Sequence, residues 1–510
     1  MSVRVSLDGV TFEAGAPFVT AWTGIDGLRK LALGPDVLSM SVSKDVNGIS
    51  GRFSLELLPR SEFLTSEFSL RTPAERLPVY FRALAPNTPI AIGFEREGGV
   101  MLGLVESCDY STTVVNAALQ ISIKVSGSDL GHMLEDHVLQ ALISTSDLGA
   151  WTAAITDVLG GDAPILTDLL GAEAPLNSAG ERSLLNQSID NVARYSIDRV
   201  AGMRIPVLRQ AFGGKGYIGD FTQLRVASFD EDLVFKSDLY MQETSVSGYL
   251  QEILDKDFYE FRVETLPQDT GIPRPVLLIR PKPFDEEAFQ GSAWPTISRN
   301  ASAAWERLTT LVDGARHHEI ETADLIGGVT LGRSRSEAYT YYTVQNNNEI
   351  GATDGDASAG MAFPIYDLYA ATRYVTQRYD SRCSLVAGDP TDTTLQSKIR
   401  SSTQERRNRL FCWYRCNPEF LTGSVQVRGK DAYRAGDPVW IPWMVDPLSG
   451  RPGLRFYCTA VTHSWSVGGM YDCTLSLARG HGAGFWEEFV KRVTAVMPDT
   501  VPYGWISADR

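Results

Sequence analysis

The run Arg455-Phe456-Tyr457-Cys458-Thr459-Ala460-Val461-Thr462-His463-Ser464-Trp465, followed by Gly468-Gly469 and Tyr471-Asp472-Cys473-Thr474-Leu475-Ser476-Leu477, decides the fold. Tyr471, Cys473, Leu475 and Leu477 alternate with Asp472, Thr474 and Ser476, which gives a strand one buried and one wet face. Gly468-Gly469 between two such runs signals a hairpin. Val425, Val427 and the stretch 433–441 precede it in the same style, so residues 421–480 read as antiparallel β. The pattern recurs near the N-terminus. Phe53-Ser54-Leu55-Glu56-Leu57 and Leu119-Gln120-Ile121-Ser122-Ile123-Lys124-Val125-Ser126 alternate strictly, and Gly98-Gly99 separates the apolar runs 90–94 and 100–105.

Between these β regions the period changes. Leu130, Met133 and Leu134, then 151–159, then 184–200 with Leu185, Ile189, Val192 and Tyr195 at helical spacing, predict helices. Ser245 caps a predicted helix carrying Val246, Tyr249, Leu250, Ile253 and Leu254. Tyr259, Phe261 and Val263 then alternate with Glu260, Arg262 and Glu264, which predicts an apolar inner face and a charged outer one. A turn over 267–275 leads to Val276-Leu277-Leu278-Ile279, stopped by Pro281 and Pro283. Further helices are expected at 366–379 and about 393–414.

These signals divide the chain into a first β-barrel at 1–128, a helical insert at 129–244, a mixed helix and strand domain at 245–319, a second β-barrel with helices at 320–480, and a C-terminal helix and tail at 481–510. The fold class is α+β and β-rich: two similar antiparallel β-barrels, a helical insert and a smaller mixed α/β domain. The second barrel needs strands from about 320–345, since 421–480 alone is short. In the C-terminal helix, Phe485, Phe489, Val490 and Val493 share a face with Trp486 beside it. Such a face needs cover from its own chain or a neighbour. An assembly contact is expected, with residues 482–510 dispensable for folding.

The 510 residues suggest several domains. Hydrophobic content of 43% with 21% charged residues excludes wholesale disorder. Net charge is −15, from 62 acidic and 47 basic residues, which argues against gripping nucleic acid through phosphates. Like charge instead suits a surface past which DNA slides. Apolar runs such as 276–279 are too short to cross a bilayer, so stable membrane insertion is not expected. The N-terminus lacks a basic region followed by an apolar one, so synthesis and folding in a cytoplasm are expected.

The reactive residue types form no constellation. Cys108, Cys383, Cys412, Cys416, Cys458 and Cys473 include one close pair, Cys412 and Cys416, and structural zinc needs four ligands. Buried free thiols are expected. His132 and His137 diverge on a helix, His317-His318 are adjacent, and HExxH is absent. His463 is expected to hydrogen-bond locally. Gly213-Gly214-Lys215-Gly216 lacks the order of a phosphate loop, and no GxSxG is present. No catalytic, cofactor-binding or metal-binding residue is assigned, and no cofactor is expected. Glycan hydrolysis needs a carboxylate pair, but Glu135-Asp136 and Glu487-Glu488 are sequence neighbours that point apart. Ten Trp and 19 Tyr would suit sugar stacking, yet most sit in alternating apolar runs and read as core. A tail-associated cell-wall hydrolase and a carbohydrate-binding tail protein are therefore the alternatives to a structural role.

Order and spacing then carry a resemblance. Gly436-Asp437-Pro438-Val439, the 455–465 run, the Gly468-Gly469 turn and the strand ending Ala478-Arg479-Gly480 resemble the last barrel of tail baseplate hub proteins. These belong to contractile-tailed phages and related injection machines. Gly51-Arg52-Phe53-Ser54-Leu55-Glu56-Leu57 and Val125-Ser126-Gly127-Ser128-Asp129-Leu130 resemble the first barrel and its exit. Arg280-Pro281-Lys282-Pro283-Phe284 is similar to another hub segment, whereas 131–235 matches none. The resemblance implies a non-enzymatic homotrimer with two tail-tube-like barrels per chain. Its ring would join a sixfold tail tube or distal tail protein to a threefold central spike, among baseplate wedge proteins. DNA would meet it only in passage, along an acidic or neutral wall. The implied location is the virion tail baseplate, assembled in the host cytoplasm.

Overall fold

The computed structural model describes residues 2–7, 10–23, 29–46, 48–58, 79–115, 118–136, 138–139, 234–235, 244–245, 247–248, 259–266, 273–281, 318–335, 337–346, 364–383, 385–386, 403–404, 407–408, 410–500 and 504–507. The N-terminal part carries β1 (Ser2–Leu7) and β2 (Val10–Gly15), which pair with each other. Then come β3 (Phe18–Thr23), β4 (Arg29–Ala32), β5 (Val37–Asp45), β6 (Arg52–Leu57), α1 (Val79–Ala83), β7 (Pro89–Gly93), β8 (Met101–Val115), β9 (Ala118–Asp129) and α2 (His132–Asp136). Alternation holds where it was read: Phe53, Leu55 and Leu57 of β6 are buried, while Arg52 and Ser54 are exposed.

The middle of the chain carries β10 (Val138–Leu139), β11 (Val234–Phe235) and β12 (Thr244–Ser245). It also carries the antiparallel hairpin of β13 (Tyr259–Leu266) and β14 (Arg274–Pro281). β15 (His318–Glu319), β16 (Leu325–Gly332), β17 (Tyr341–Asn346), β18 (Ile365–Asp367), α3 (Leu368–Arg373), β19 (Arg378–Cys383) and β20 (Leu385–Val386) follow. The C-terminal part holds β21 (Leu421–Arg428), β22 (Pro438–Val445), β23 (Pro452–Ser466), β24 (Asp472–Gly482), α4 (Phe485–Val496) and β25 (Trp505–Ser507).

Two five-stranded units share one topology. In the first, pairing runs β5-β6-β9-β8-β7; in the second, β16-β21-β24-β23-β22, antiparallel throughout. Position for position, the strands occupy the same places in chain order. A helix follows the last strand of each unit, α2 after β9 and α4 after β24. Each unit has its own core. Val42, Phe53, Leu55, Ile92, Met101 and Val125 belong to the first, and Val425, Val427, Val439, Ile441, Leu475 and Leu477 to the second.

Where two similar β-barrels are expected, the two units are joined edge to edge. β5 pairs antiparallel with β23, from Asp45 opposite Ala460 to Ser39 opposite Ser466, so both units lie on one 13-stranded sheet. The join works because both strands put large side chains inward. Met40, Val42 and Lys44 on β5 and Val461 and His463 on β23 are buried, while serines and a threonine face outward. Trp465 of β23 packs against the first unit's core.

Other expectations shift as well. The predicted helix over 366–379 shrinks to α3. Asp367 Oδ1 accepts from the Ala370 amide at 3.0 Å and caps it, and beyond Tyr374 the chain becomes β19. β19 pairs in parallel with β17 in a second sheet ordered β19-β17-β18-β25. From the 320–345 stretch, β16 joins the second unit and β17 does not. The helices expected at 151–159 and 184–200, and most of the one at 245–254, lie outside the described residues; of the helix expected at about 393–414, residues 403–404, 407–408 and 410–414 are described and are helical.

Gly127 shows how closely β8 and β9 approach. A Cβ there would lie 2.0 Å from the Leu104 carbonyl oxygen and 2.6 Å from the Phe53 ring. We expect Gly127→Ala to lower stability by about 2 kcal/mol in urea denaturation, as overpacking does. Gly48→Ala, whose Cβ would meet nothing nearer than 3.6 Å, should stay within about 0.5 kcal/mol. Equal midpoints for the two variants would contradict this packing.

Candidate assembly site

Two buried polar devices join the units. The first centres on Asp431, in the loop between β21 and β22 and 3% exposed. Its carboxylate accepts the backbone amides of Phe94 at 3.1 Å, Glu95 at 2.9 Å and Arg96 at 3.2 Å, all in the turn between β7 and β8. Successive amides aimed at one point form an anion-binding nest, filled here by the chain's own carboxylate. The Asp431 amide donates back to Glu95 at 3.2 Å, and the Tyr471 hydroxyl donates to Asp431 at 3.1 Å. The Phe94 and Tyr471 rings stack with centroids 4.0 Å apart. A turn of the first unit is thus clamped to a loop of the second.

The second device lies under β13. Glu260, Arg262 and Glu264, expected on a wet face, are each no more than 3% exposed. The charges balance one another: Arg262 lies 3.2 Å from Glu260 and 2.7 Å from Glu264, and Arg434 lies 3.1 Å from Glu264. Lys44 of β5 donates to the Val263 carbonyl at 2.9 Å and stands 3.7 Å from Glu264 and 3.8 Å from Asp129. Tyr457 of β23 donates to Glu260. One strand therefore ties down residues of both units. Burial alone would raise the Glu264 pKa, but Lys44, Arg262 and Arg434 hold it well below the carboxylate range. Asp129 goes the other way. Burial pushes it up to about 7, against the pull of Lys44. Its Oδ1 accepts from the Gly131 amide at 2.9 Å, while its Oδ2 has no hydrogen-bond partner among the described residues.

The motif residues have physical roles. Gly436, at φ 83°, donates its amide to the Cys458 carbonyl at 2.6 Å, and Asp437 meets His318 Nε2 at 3.0 Å. Arg479 takes a left-handed φ of 56° in β24, where the pairing with β23 slips. Its guanidinium lies 3.8 Å from the Trp413 ring centroid and donates to the Trp413 carbonyl at 2.6 Å. His463 is buried. Its Nδ1 lies 2.8 Å from the Tyr471 hydroxyl, and burial, reinforced by Lys44, lowers its pKa to about 3, so it stays neutral. Cys416, Cys458 and Cys473 are buried free thiols, and Cys108 and Cys412 are half-buried. Burial pushes the Cys473 and Cys412 thiols up to about 12. Among the described residues no three His, Cys, Asp or Glu gather as a metal-ligand set, and no helix is long and apolar enough to cross a membrane.

The five candidate contact residues of α4 separate. Phe485, Phe489 and Val493 are buried against Tyr369, Cys416, Phe420 and Leu448 of their own chain, with Trp486 partly buried on the same cluster. Val490 is 47% exposed. Phe485, Phe489 and Val493 are thus covered by their own chain, and Val490 is the candidate left open to a partner. Sequence reasoning missed Asp431, Lys44, Asp129, Glu264 and Arg434. The signal available was Glu260-Phe261-Arg262-Val263-Glu264, whose alternating charges can neutralise one another on a single face.

No family model and no curated protein matches this chain. Among solved structures it is similar to a tail protein of Neisseria meningitidis, with 11% identity, a TM-score of 0.44, and 93% of this chain and 98% of that one covered. It is likewise similar to a 43 kDa tail protein of a Shewanella oneidensis prophage, with 12% identity, a TM-score of 0.44, and 91% and 98% covered. A third is an E. coli component of the type VI secretion system, described as similar to bacteriophage T4 tail proteins. There identity is 9%, the TM-score 0.36, and 87% and 73% are covered.

Two measurements test the devices. Asp431→Ala strands several buried amides and should cost roughly 3–5 kcal/mol in urea denaturation, with Asp431→Asn intermediate. Stability within about 0.5 kcal/mol of the unsubstituted chain would show that the clamp holds nothing. Asp129 predicts a pH slope. Between about pH 4 and 7 the folded chain keeps a proton that the unfolded chain, with an ordinary Asp near pKa 3.9, has released. Stability contributed by this group therefore falls as pH rises through that window. Asp129→Asn should gain on the unsubstituted chain between pH 5 and pH 8, and parallel curves would contradict the assignment.

Proposed function

We propose that this chain is the structural hub of a phage tail baseplate. The observation that carries the proposal is the repeated topology: two five-stranded units of identical strand order, clamped together in one chain. Three copies supply six near-equivalent units. A trimer so built can face a sixfold tail tube or distal tail protein on one side and a threefold central spike on the other. One unit per chain could not bridge that mismatch by trimerising. The motif resemblance supports the same reading. In it the two units are the two tail-tube-like barrels, and β13–β14 belongs to the smaller mixed domain.

The role is mechanical, with no catalysis. Baseplate wedge proteins would surround the ring, and the outward Val490 of α4 is a candidate contact. Net charge of −15 suits an acidic or neutral lumen through which DNA passes without counterion-driven sticking. The reading places the protein in the virion tail after assembly in the host cytoplasm. Light scattering on the purified chain should give a mass near three times 56.0 kDa. A monomer at every concentration tested would contradict the hub.

A further inference from the structure

The seam between β5 and β23 has an unused counterpart on the same chain. Equivalent residues follow from pairing alone. On the long strand of each unit one residue bulges: Glu106 on β8, between Val105 and Ser107, and Thr459 on β23, between Cys458 and Ala460. One residue past each bulge, the pairing can be followed across four strands. In the first unit it runs Ser107, Ser126, Ser54, Ser41; in the second, Ala460, Ser476, Ser424, Thr330. Thr330 of β16 is therefore the equivalent of Ser41 of β5. Within the chain, Ser41 pairs with Ser464, four residues beyond Ala460. Four residues beyond Ser107 is Ser111.

Both counterparts have open edges. β16 ends the 13-stranded sheet, with no strand on its outer side among the described residues. β8 pairs with β7 only through Leu104, and its distal half has β9 on one side and no strand on the other among the described residues. An open edge of this kind is a template for another chain.

We propose that β16 of one copy pairs antiparallel with the distal half of β8 of the next, with Thr330 opposite Ser111. The proposal rests on the hub reading and specifies its subunit joint. The register sets Leu331 opposite Tyr110 and Gly332 opposite Asp109. Facing supports it. Leu331 and Val329 pack on the second core, and Cys108, two residues before Tyr110, packs on the first. Thr330, Gly332, Ser111 and Asp109 are exposed on the other face. In the seam, buried Val42 likewise meets buried His463, and Ser41 meets Ser464 on the wet face. A slip of one residue would oppose core and wet faces. Such a joint is head-to-tail, and a head-to-tail joint closes into a ring when its rotation allows. Repeating one joint within and between chains gives six similar junctions for three copies.

Engineered cysteines read the register. Residues directly opposite in antiparallel strands have Cα atoms about 4.5–5.5 Å apart, within disulfide range. In a Cys108→Ser background, the full-length Ser111→Cys, Thr330→Cys double variant should form intermolecular disulfides on mild oxidation. Non-reducing gels should show dimers and trimers, and neither single variant should give the trimer ladder. Both positions are exposed, so folding should be retained. Ser111→Cys with Leu331→Cys, one residue out of register, should cross-link far less. Light scattering on the same samples separates the two ideas. A trimer that fails to cross-link at 111 and 330, or prefers 111 and 331, overturns this joint and leaves the hub standing. A chain that stays monomeric overturns both.

Discussion

Backbone pairing between β5 and β23 is the constraint on which the rest of this structure depends. From Asp45 to Ser39, one strand of the first unit lies against the far half of a strand more than 400 residues later. Each backbone hydrogen bond contributes only about 0.5–1.5 kcal/mol net, but leaving a strand edge unpaired invites mispairing. The pairing also fixes face and register together, since Val42 and His463 must both turn inward. Once it is made, the turn after β7 and the loop before β22 become neighbours, and Asp431 fills the nest between them. Lys44 arrives beside Asp129 and Glu264 by the same route, because it sits on β5 itself. The seam, the clamp and the buried charges are one construction viewed at three depths.

The local elements were legible in the sequence. Period-two alternation over 53–57 and 471–477 and the glycine pairs at 98–99 and 468–469 mark hairpins that the structure contains, because these signals act over a few residues. The joint was not legible. Nothing in Ser39-Met40-Ser41-Val42-Ser43 names its partner strand, and nothing around Asp431 announces three amides in a distant turn. β13 misled for a related reason. Charged residues at alternate positions read as a wet face, and their burial depends on Lys44 and Arg434 arriving from elsewhere to balance them. α4 was legible as an amphipathic helix, but the pattern does not name what covers it. Tyr369, Phe420 and Leu448 lie on separate parts of the chain.

The division of labour among residues follows. Large apolar side chains give each unit a core of its own, with Tyr471 packed against both and a further cluster around α4. Where the units and β13 meet, the buried ionisable side chains Lys44, Asp129, Glu260, Arg262 and Glu264 each have a partner of opposite sign within 4 Å. Breaking such a cluster by removing one member is costly, which makes the contact specific even where its net stabilisation is small.

Hydrogen exchange at the seam tests this account most directly. Amides of 39–45 and 460–466 should exchange as slowly as those in the interiors of the two units, since the seam opens only when a whole unit unfolds. The account predicts that these peptides stay protected until global unfolding, and that Asp431→Ala weakens them more than it weakens β21 and β24. Rapid exchange along both seam strands, with the two cores still protected, would show two units that merely touch and would contradict it.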